Sequence, residues 1–242
     1  MTEHPLQLSG RQVLAMVARA VAEDSPEPLA LRLCRLTTVT AGADGGALSL
    51  ATGTTEHHPL GATDETADRL DDLQEVLRAG PGPRAFLTGV SSTLSTRHPP
   101  AEWAEAASVI TDTVGPCYID AVPMRSRGRS TGAFTCYRRE PRAPATAPES
   151  LQLLVDAVGA VLVSPESLQT LAASDTWAQR SRLHQATGMV LAQLGLSADD
   201  AYALLRAHSF AADQTMDDTA TQVLERALDF TRIDPDPEGD AR

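Results

Sequence analysis

The chain has 242 residues, 42% of them hydrophobic and 21% charged, the values of a globular protein long enough to bury a substantial core. Its formal net charge is -12 and its 20 basic residues are all arginine. A chain this acidic repels a phosphate backbone on average, so nucleic-acid binding requires a local arginine cluster.

No apolar run approaches the roughly 18 residues of a membrane span, and the N-terminus lacks a basic segment leading into an apolar one, so no signal peptide is expected. Cys34, Cys117 and Cys136 are far apart and odd in number. That argues against a disulfide or zinc framework, and the three read as small buried hydrophobes in a cytoplasmic protein.

In chain order, residues 9–24 read as a helix with Val13, Leu14, Val17 and Val21 on one face, broken by Ser25-Pro26; residues 1–26 form an N-terminal helical segment. Residues 27–163 alternate helices with short strands. Leu29, Leu33 and Leu36 stripe a helix over 29–41, and Ala43-Asp44-Gly45-Gly46 turns into a strand over 47–50. His57 and His58 fall in a polar loop, where adjacent side chains rarely converge on one ion, so no metal site is expected.

Leu70, Leu73, Val76 and Leu77 stripe a helix that ends before Gly80-Pro81-Gly82-Pro83. Another helix covers 101–114 and carries Trp103. Strands over 118–122 and 132–137 flank the basic loop Arg125-Ser126-Arg127-Gly128-Arg129, and a helix over 149–163 follows. Its stripe of Leu151, Leu154, Val155, Val158 and Leu162 suits packing on the sheet or on a second copy of the chain. Strands with helices on both flanks make an α+β domain.

Ser164-Pro165 marks a break, residues 166–232 are helical in pattern, and the polar tail 233–242 reads as disordered. Leu183, Ala186, Val190, Leu191 and Leu194 lie on one face of a helix over 177–194, which Gly195 ends. Ser197-Ala198-Asp199-Asp200 then places a serine cap and acids at a helix start. The second helix buries Ala201, Leu204 and Leu205. Thr215-Met216-Asp217-Asp218 repeats the start signal for a third, which presents Met216, Ala220, Val223, Leu224, Ala227 and Leu228. The fold class expected is therefore α+β followed by an all-α three-helix module.

No GxSxG, HExxH, P-loop or GxGxxG occurs in the context its chemistry needs. Asp71-Asp72 and Asp199-Asp200 read as exposed helix charges, and no enzyme activity is expected.

Two resemblances add to this reading. Leu73-Gln74 followed by Gly80-Pro81-Gly82-Pro83 and Ala85, then Ala121-Val122-Pro123-Met124 and Gly132-Ala133-Phe134, with Asp44-Gly45 before a strand, resemble the GAF family over 27–163. The resemblance implies a sensory domain with an antiparallel sheet flanked by helices, holding either a small ligand of unknown identity or no ligand at all and serving as a dimerisation platform. Arg84 stands where relatives often carry cysteine. The lysine-free chain also lacks the family's cyclic-nucleotide signature, and no cofactor is expected.

The second runs through Gln185-Ala186-Thr187-Gly188-Met189-Val190-Leu191, Gly195-Leu196-Ser197, Ala201-Tyr202-Ala203-Leu204-Leu205-Arg206 and Met216-Asp217-Asp218-Thr219-Ala220. These are similar to the ANTAR family, in an expected module of 166–232. The resemblance implies a homodimeric transcription antiterminator that binds paired RNA hairpins in nascent transcripts. Carried onto this sequence, Gly188, Arg206 and Thr215 fall at the family's RNA-facing and packing positions, with Arg180 and Arg182 as phosphate contacts. Thr187 is placed on the same RNA-facing surface but stands where the family usually has lysine, which removes one phosphate contact. Between 180 and 232 five arginines face seven acids, so the alternative is a ligand-sensing or protein-interaction regulator whose helical module no longer binds RNA.

Overall fold

The computed structural model describes residues 5–52, 56–126, 128–165, 167–168, 175–212 and 214–232. The chain divides into two compact units, Met1–Trp177 and Ala178–Arg242.

The first unit is built on one antiparallel sheet in the order β2-β1-β5-β4-β3. Its strands are β1 (Gly45–Thr52), β2 (Glu56–Ala62), β3 (Ser92–Ser95), β4 (Tyr118–Ser126) and β5 (Arg129–Arg138). On one face lie α1 (Gly10–Ala22), α2 (Leu29–Ala41) and α6 (Pro148–Leu162). Leu33 and Cys34 of α2 and Leu154, Val155 and Val158 of α6 meet Leu48, Met124 and Phe134 of the strands in one core. The opposite face carries α3 (Glu65–Leu77), α4 (Pro81–Thr88) and α5 (Ala104–Val114), where Leu70, Leu73, Trp103, Ile110 and Ile119 form a second core. Strand residues alternate between the two cores, as the two-residue period requires.

Several expectations are corrected here. Leu14 and Val21 of α1 are exposed; the buried stripe is Val13, Val17 and Ala20, all in the core shared with α2 and α6. His57 and His58 stand in β2, not in a loop, and His58 is buried. Both β2 and β3 escape sequence reading because they are the edge strands, with polar residues in both and Pro59 in β2 where apolar alternation would signal a strand. The helix α3 does end before Gly80-Pro81-Gly82-Pro83, as expected, but it stops at Leu77, with Arg78 in the left-handed region at φ 47, rather than at the prolines themselves. Pro81 instead starts α4 at a position where its missing N–H costs nothing.

The Leu73-Gln74 and glycine-proline segments are physically one device. Gln74 is 1% exposed; its Nε2 donates to the Leu70 carbonyl at 3.1 Å and its Oε1 accepts from the Gly82 amide at 2.9 Å. The side chain thus satisfies an open amide in the first turn of α4, and a Cβ on Gly80 would come within 2.7 Å of that same Oε1. At the start of α3, Asp64 caps the helix through the Ala67 amide and accepts from the Tyr137 hydroxyl, while the Arg139 guanidinium stacks 5.2 Å over the Tyr137 ring.

All three cysteines are free and buried. Burial pushes the Cys34 and Cys136 thiols up to about 12. A group whose folded pKa lies above its unfolded value binds its proton more tightly when folded. The stability it contributes is therefore complete below the ordinary thiol value and is lost as pH rises towards the folded one. The melting temperature of the first unit is expected to hold steady up to about pH 8.5 and to fall above it, and Cys34→Ala/Cys136→Ala should flatten that fall in a thermal-melt series from pH 7 to 11.

The second unit is three helices: α7 (Asp175–Leu194), α8 (Ala198–Ala211) and α9 (Met216–Leu224). Ala186 and Val190 from α7, Ala201 and Leu205 from α8, and Ala220 and Val223 from α9 are completely buried together, and Phe230 closes the cluster from beyond the last helix. Gly195 ends α7 at φ 65, the left-handed conformation a terminating glycine supplies. The third helix is shorter than expected. It stops at Leu224, Arg226 turns the chain at φ 59, and Ala227 is exposed. The expected tail 233–242 lies outside the described residues, and no helix among those described is long and apolar enough to cross a membrane.

Candidate nucleic-acid interface

The helical unit carries the residues with an expected RNA role, and the structure separates them into different environments. Arg180 falls in α7, but its side chain lies outside the described residues. Arg182, one half-turn on, is half-buried. Its Nε and Nη2 each donate at 2.7 Å to the two oxygens of Asp217, a fork-to-fork pair that ties α7 to the first turn of α9. With these side chains 35% and 27% exposed, the pair is worth about 1 kcal/mol. A phosphate would have to displace Asp217 to take this face of the guanidinium.

Thr187 is only 5% exposed, and its hydroxyl donates back to the Leu183 carbonyl at 2.8 Å. It is a core residue of α7, which corrects its placement on a contact surface. Hydroxyl and methyl both face inward, where a lysine would have to extend its stem to reach water. Gly188, its neighbour, is exposed, and a Cβ built there would meet nothing within 4 Å. No neighbouring helix of the described residues therefore requires the glycine.

Thr215 is exposed and fully engaged at the start of α9. Its hydroxyl accepts from the Asp218 amide at 3.1 Å and donates to the Asp218 carboxylate at 2.7 Å, and its own amide donates to that carboxylate at 3.1 Å. The Thr215 hydroxyl, followed by its amide, holds the Asp218 carboxyl below its ordinary value. Ser197 and Asp200 begin α8 similarly, with the serine hydroxyl accepting from the Asp200 amide at 3.1 Å. Both helix N-termini, which would otherwise attract a phosphate, are thus already served by the chain's own carboxylates.

Arg206 differs from the others. It is exposed on α8, and its guanidinium has no ion-pair partner among the described residues. Phe210 lies one turn further along α8 and is 89% exposed. Sequence reading passed over Phe210 although a signal was present: it falls off the stripe set by Ala201, Leu204 and Leu205, so the helical period turns it outward. Asp217 was missed as the partner of Arg182 because the two are 35 residues apart and only packing brings them together.

Among solved structures, the chain is similar to an A. aeolicus GAF domain in an inactive state, at 11% identity and TM-score 0.40, with 67% of this chain and 94% of that one covered. It is also similar to the chromophore-binding domain of a bacteriophytochrome from R. palustris, at 11% identity and TM-score 0.45, covering 66% of this chain and 62% of that one. A third is a GAF domain/HD domain protein from Geobacter sulfurreducens, at 15% identity and TM-score 0.40, covering 62% and 95%. No curated protein matches the chain. The family model of the ANTAR domain matches residues 172–224, which span α7, α8 and α9, so the chain carries an ANTAR domain in its C-terminal helical unit.

Proposed function

We propose that this protein is a signal-responsive transcription antitermination regulator that binds paired RNA hairpins through its ANTAR domain. The match of that family model to residues 172–224 carries the reading. The sheet unit acts as the sensor, taking a small ligand or partner. The protein works as a homodimer without catalysis or cofactor, in the cytoplasm. The signal passes through α6 and the chain leading into α7, changing how the paired helical units are presented to RNA.

Within this reading Arg206 is the principal phosphate contact, and Arg180 and Gly188 are further candidate contacts. Arg182 contributes only after leaving Asp217, and Thr215 acts by setting the start of α9. In a gel shift, wild-type protein is expected to prefer a dual-hairpin RNA over an unstructured RNA of equal length. Arg206→Ala should weaken that binding about 10-fold and lower the salt slope by about one unit, the share of one phosphate contact. Arg182→Ala should cost less RNA affinity and more thermal stability.

The alternative is a ligand-sensing or protein-interaction regulator whose helical module has lost RNA binding. It is favoured by the buried Thr187, by the pairing of Arg182 with Asp217 and by the excess of acids in the module. Equal affinity for the dual-hairpin and unstructured RNAs selects this alternative.

A further inference from the structure

The outward face of α8 has a composition that the three-helix core does not explain. Ala203, Arg206, Ala207, Phe210 and Ala211 are all exposed and recur at the three- and four-residue spacings of one helix face. Ala201, Leu205 and Ser209, on the other side of the helix, are buried. Phe210 makes no ring contact among the described residues, whereas its neighbour His208 packs edge-on against Phe230 at 5.5 Å. A phenylalanine at the end of a helix whose other large apolar side chains are covered is therefore left standing in water.

What surrounds the ring defines what can cover it. The alanines one turn before it and beside it are too short to shield it, so no described residue of this face stands in the way of a flat group lying on the ring. Among the described residues of this face the one long side chain beside the ring is Arg206, four residues earlier and about 6 Å along the axis. An aromatic face beside a guanidinium is what an unpaired nucleotide needs: a plane for the base and a cation for the phosphate. A second copy of the chain is the poorer fit. One phenylalanine buries about 150–250 Å², and three alanines beside it leave the patch short of the roughly 800 Å² that a stable interface covers on each partner.

We propose that Phe210 and Arg206 form a stacking site for one unpaired RNA base, with the phenyl ring under the base and the guanidinium on the adjoining phosphate. The site rests on the RNA-binding reading above and adds to it a means of reading hairpin loops rather than stems. Stacking accepts any base, so Phe210 supplies affinity for an open loop and Arg206 fixes where along the strand the base sits. Because stacking neutralises no phosphate, the two residues separate in their salt dependence.

The test uses the full chain and a pool of tandem-hairpin RNAs with randomised loops, with a blunt duplex of equal length as control. Affinity is measured by fluorescence anisotropy at several salt concentrations. Phe210→Ala is expected to weaken hairpin binding about 10- to 100-fold at an unchanged salt slope, and to leave duplex binding unaltered. Phe210→Trp should retain the affinity, and its added indole should be quenched when the hairpin RNA binds. An unchanged thermal melt shows that the variants are folded.

Hairpin binding by Phe210→Ala equal to wild type overturns the stacking site and leaves the RNA-binding reading standing. Dissociation of an RNA-free dimer by Phe210→Ala, read by sedimentation, also overturns it and assigns the face to a protein contact. No binding of the pool by wild type removes the RNA-binding reading and the stacking site with it.

Discussion

Replacing Leu205 with alanine is expected to unfold the C-terminal helical unit at physiological temperature while the sheet unit stays folded. Leu205 is completely buried between α7 and α9, in a cluster whose other fully buried members are small or β-branched: Ala186, Val190, Ala201, Ala220 and Val223. Cutting a buried leucine to alanine costs about 2–5 kcal/mol, more where neighbours cannot collapse into the space. Ala186 and Ala220 on the facing helices, and Ala201 one turn earlier on α8, have only a methyl group with which to fill it. A unit of this size holds only about 3–8 kcal/mol in total, so the single change removes most of its stability. Hydrogen exchange should show protection lost across α7, α8 and α9 and kept in β1, β4 and β5. Leu205→Met, close in volume, should lose less than about 1.5 kcal/mol. Persistent protection of α8 in the alanine variant would show that the unit is held by something other than this core.

Gly132→Ala should be the most damaging small change in the sheet unit. Gly132 pairs with Leu50 of β1 and Met124 of β4, at the point where β5 is hydrogen-bonded on both sides. A Cβ there would collide with the Ser49 carbonyl oxygen, and would lie 2.6 Å from Met124 Cε and 3.0 Å from Leu50 Cα. Two of these three neighbours are backbone atoms of β1 and cannot turn away as a flexible side chain can. Overpacking a core costs about 1–3 kcal/mol even where side chains yield, and here the cost should reach or exceed the upper end. Chemical denaturation of the full chain should show the sheet transition moved to lower denaturant, with its unfolding free energy reduced by that amount. Gly188→Ala, where a Cβ meets nothing, should leave the melt unchanged or raise it slightly, since alanine favours a helix by up to about 1 kcal/mol over glycine.

These two sites also show how far local sequence carries. Leu205 was legible as core because it recurs with Ala201 and Leu204 at helical spacing, and its burial follows from the period alone. The clash behind Gly132 was not, because it depends on Ser49 and Leu50, more than eighty positions earlier in the chain. The same divide runs through the candidate interface. Ser197 and Thr215 were readable as helix starts because a cap reaches only three residues. The pairing of Arg182 with Asp217 was not readable, since either side chain would look free on an isolated helix. The placement of Thr187 was half legible: it follows the buried Ala186 by one residue, yet nothing in the period decides that its hydroxyl bonds back to Leu183.

What the amino-acid sequence determined by itself is the set of local elements: the stripes of α2, α3, α6, α7 and α8, the caps, and the apolar central strands. It also determined the acidic balance that confines any phosphate binding to a few arginines. Each depends on neighbours within one helical turn or one strand, where backbone geometry converts spacing into direction. Only the tertiary structure decided that the edge strands exist, that Gln74 holds the start of α4, that Arg182 is committed to Asp217, and that Arg206 and Phe210 share an open face. Those outcomes turn on which surfaces are covered by distant segments, and covering is a property of the packed chain rather than of any stretch within it.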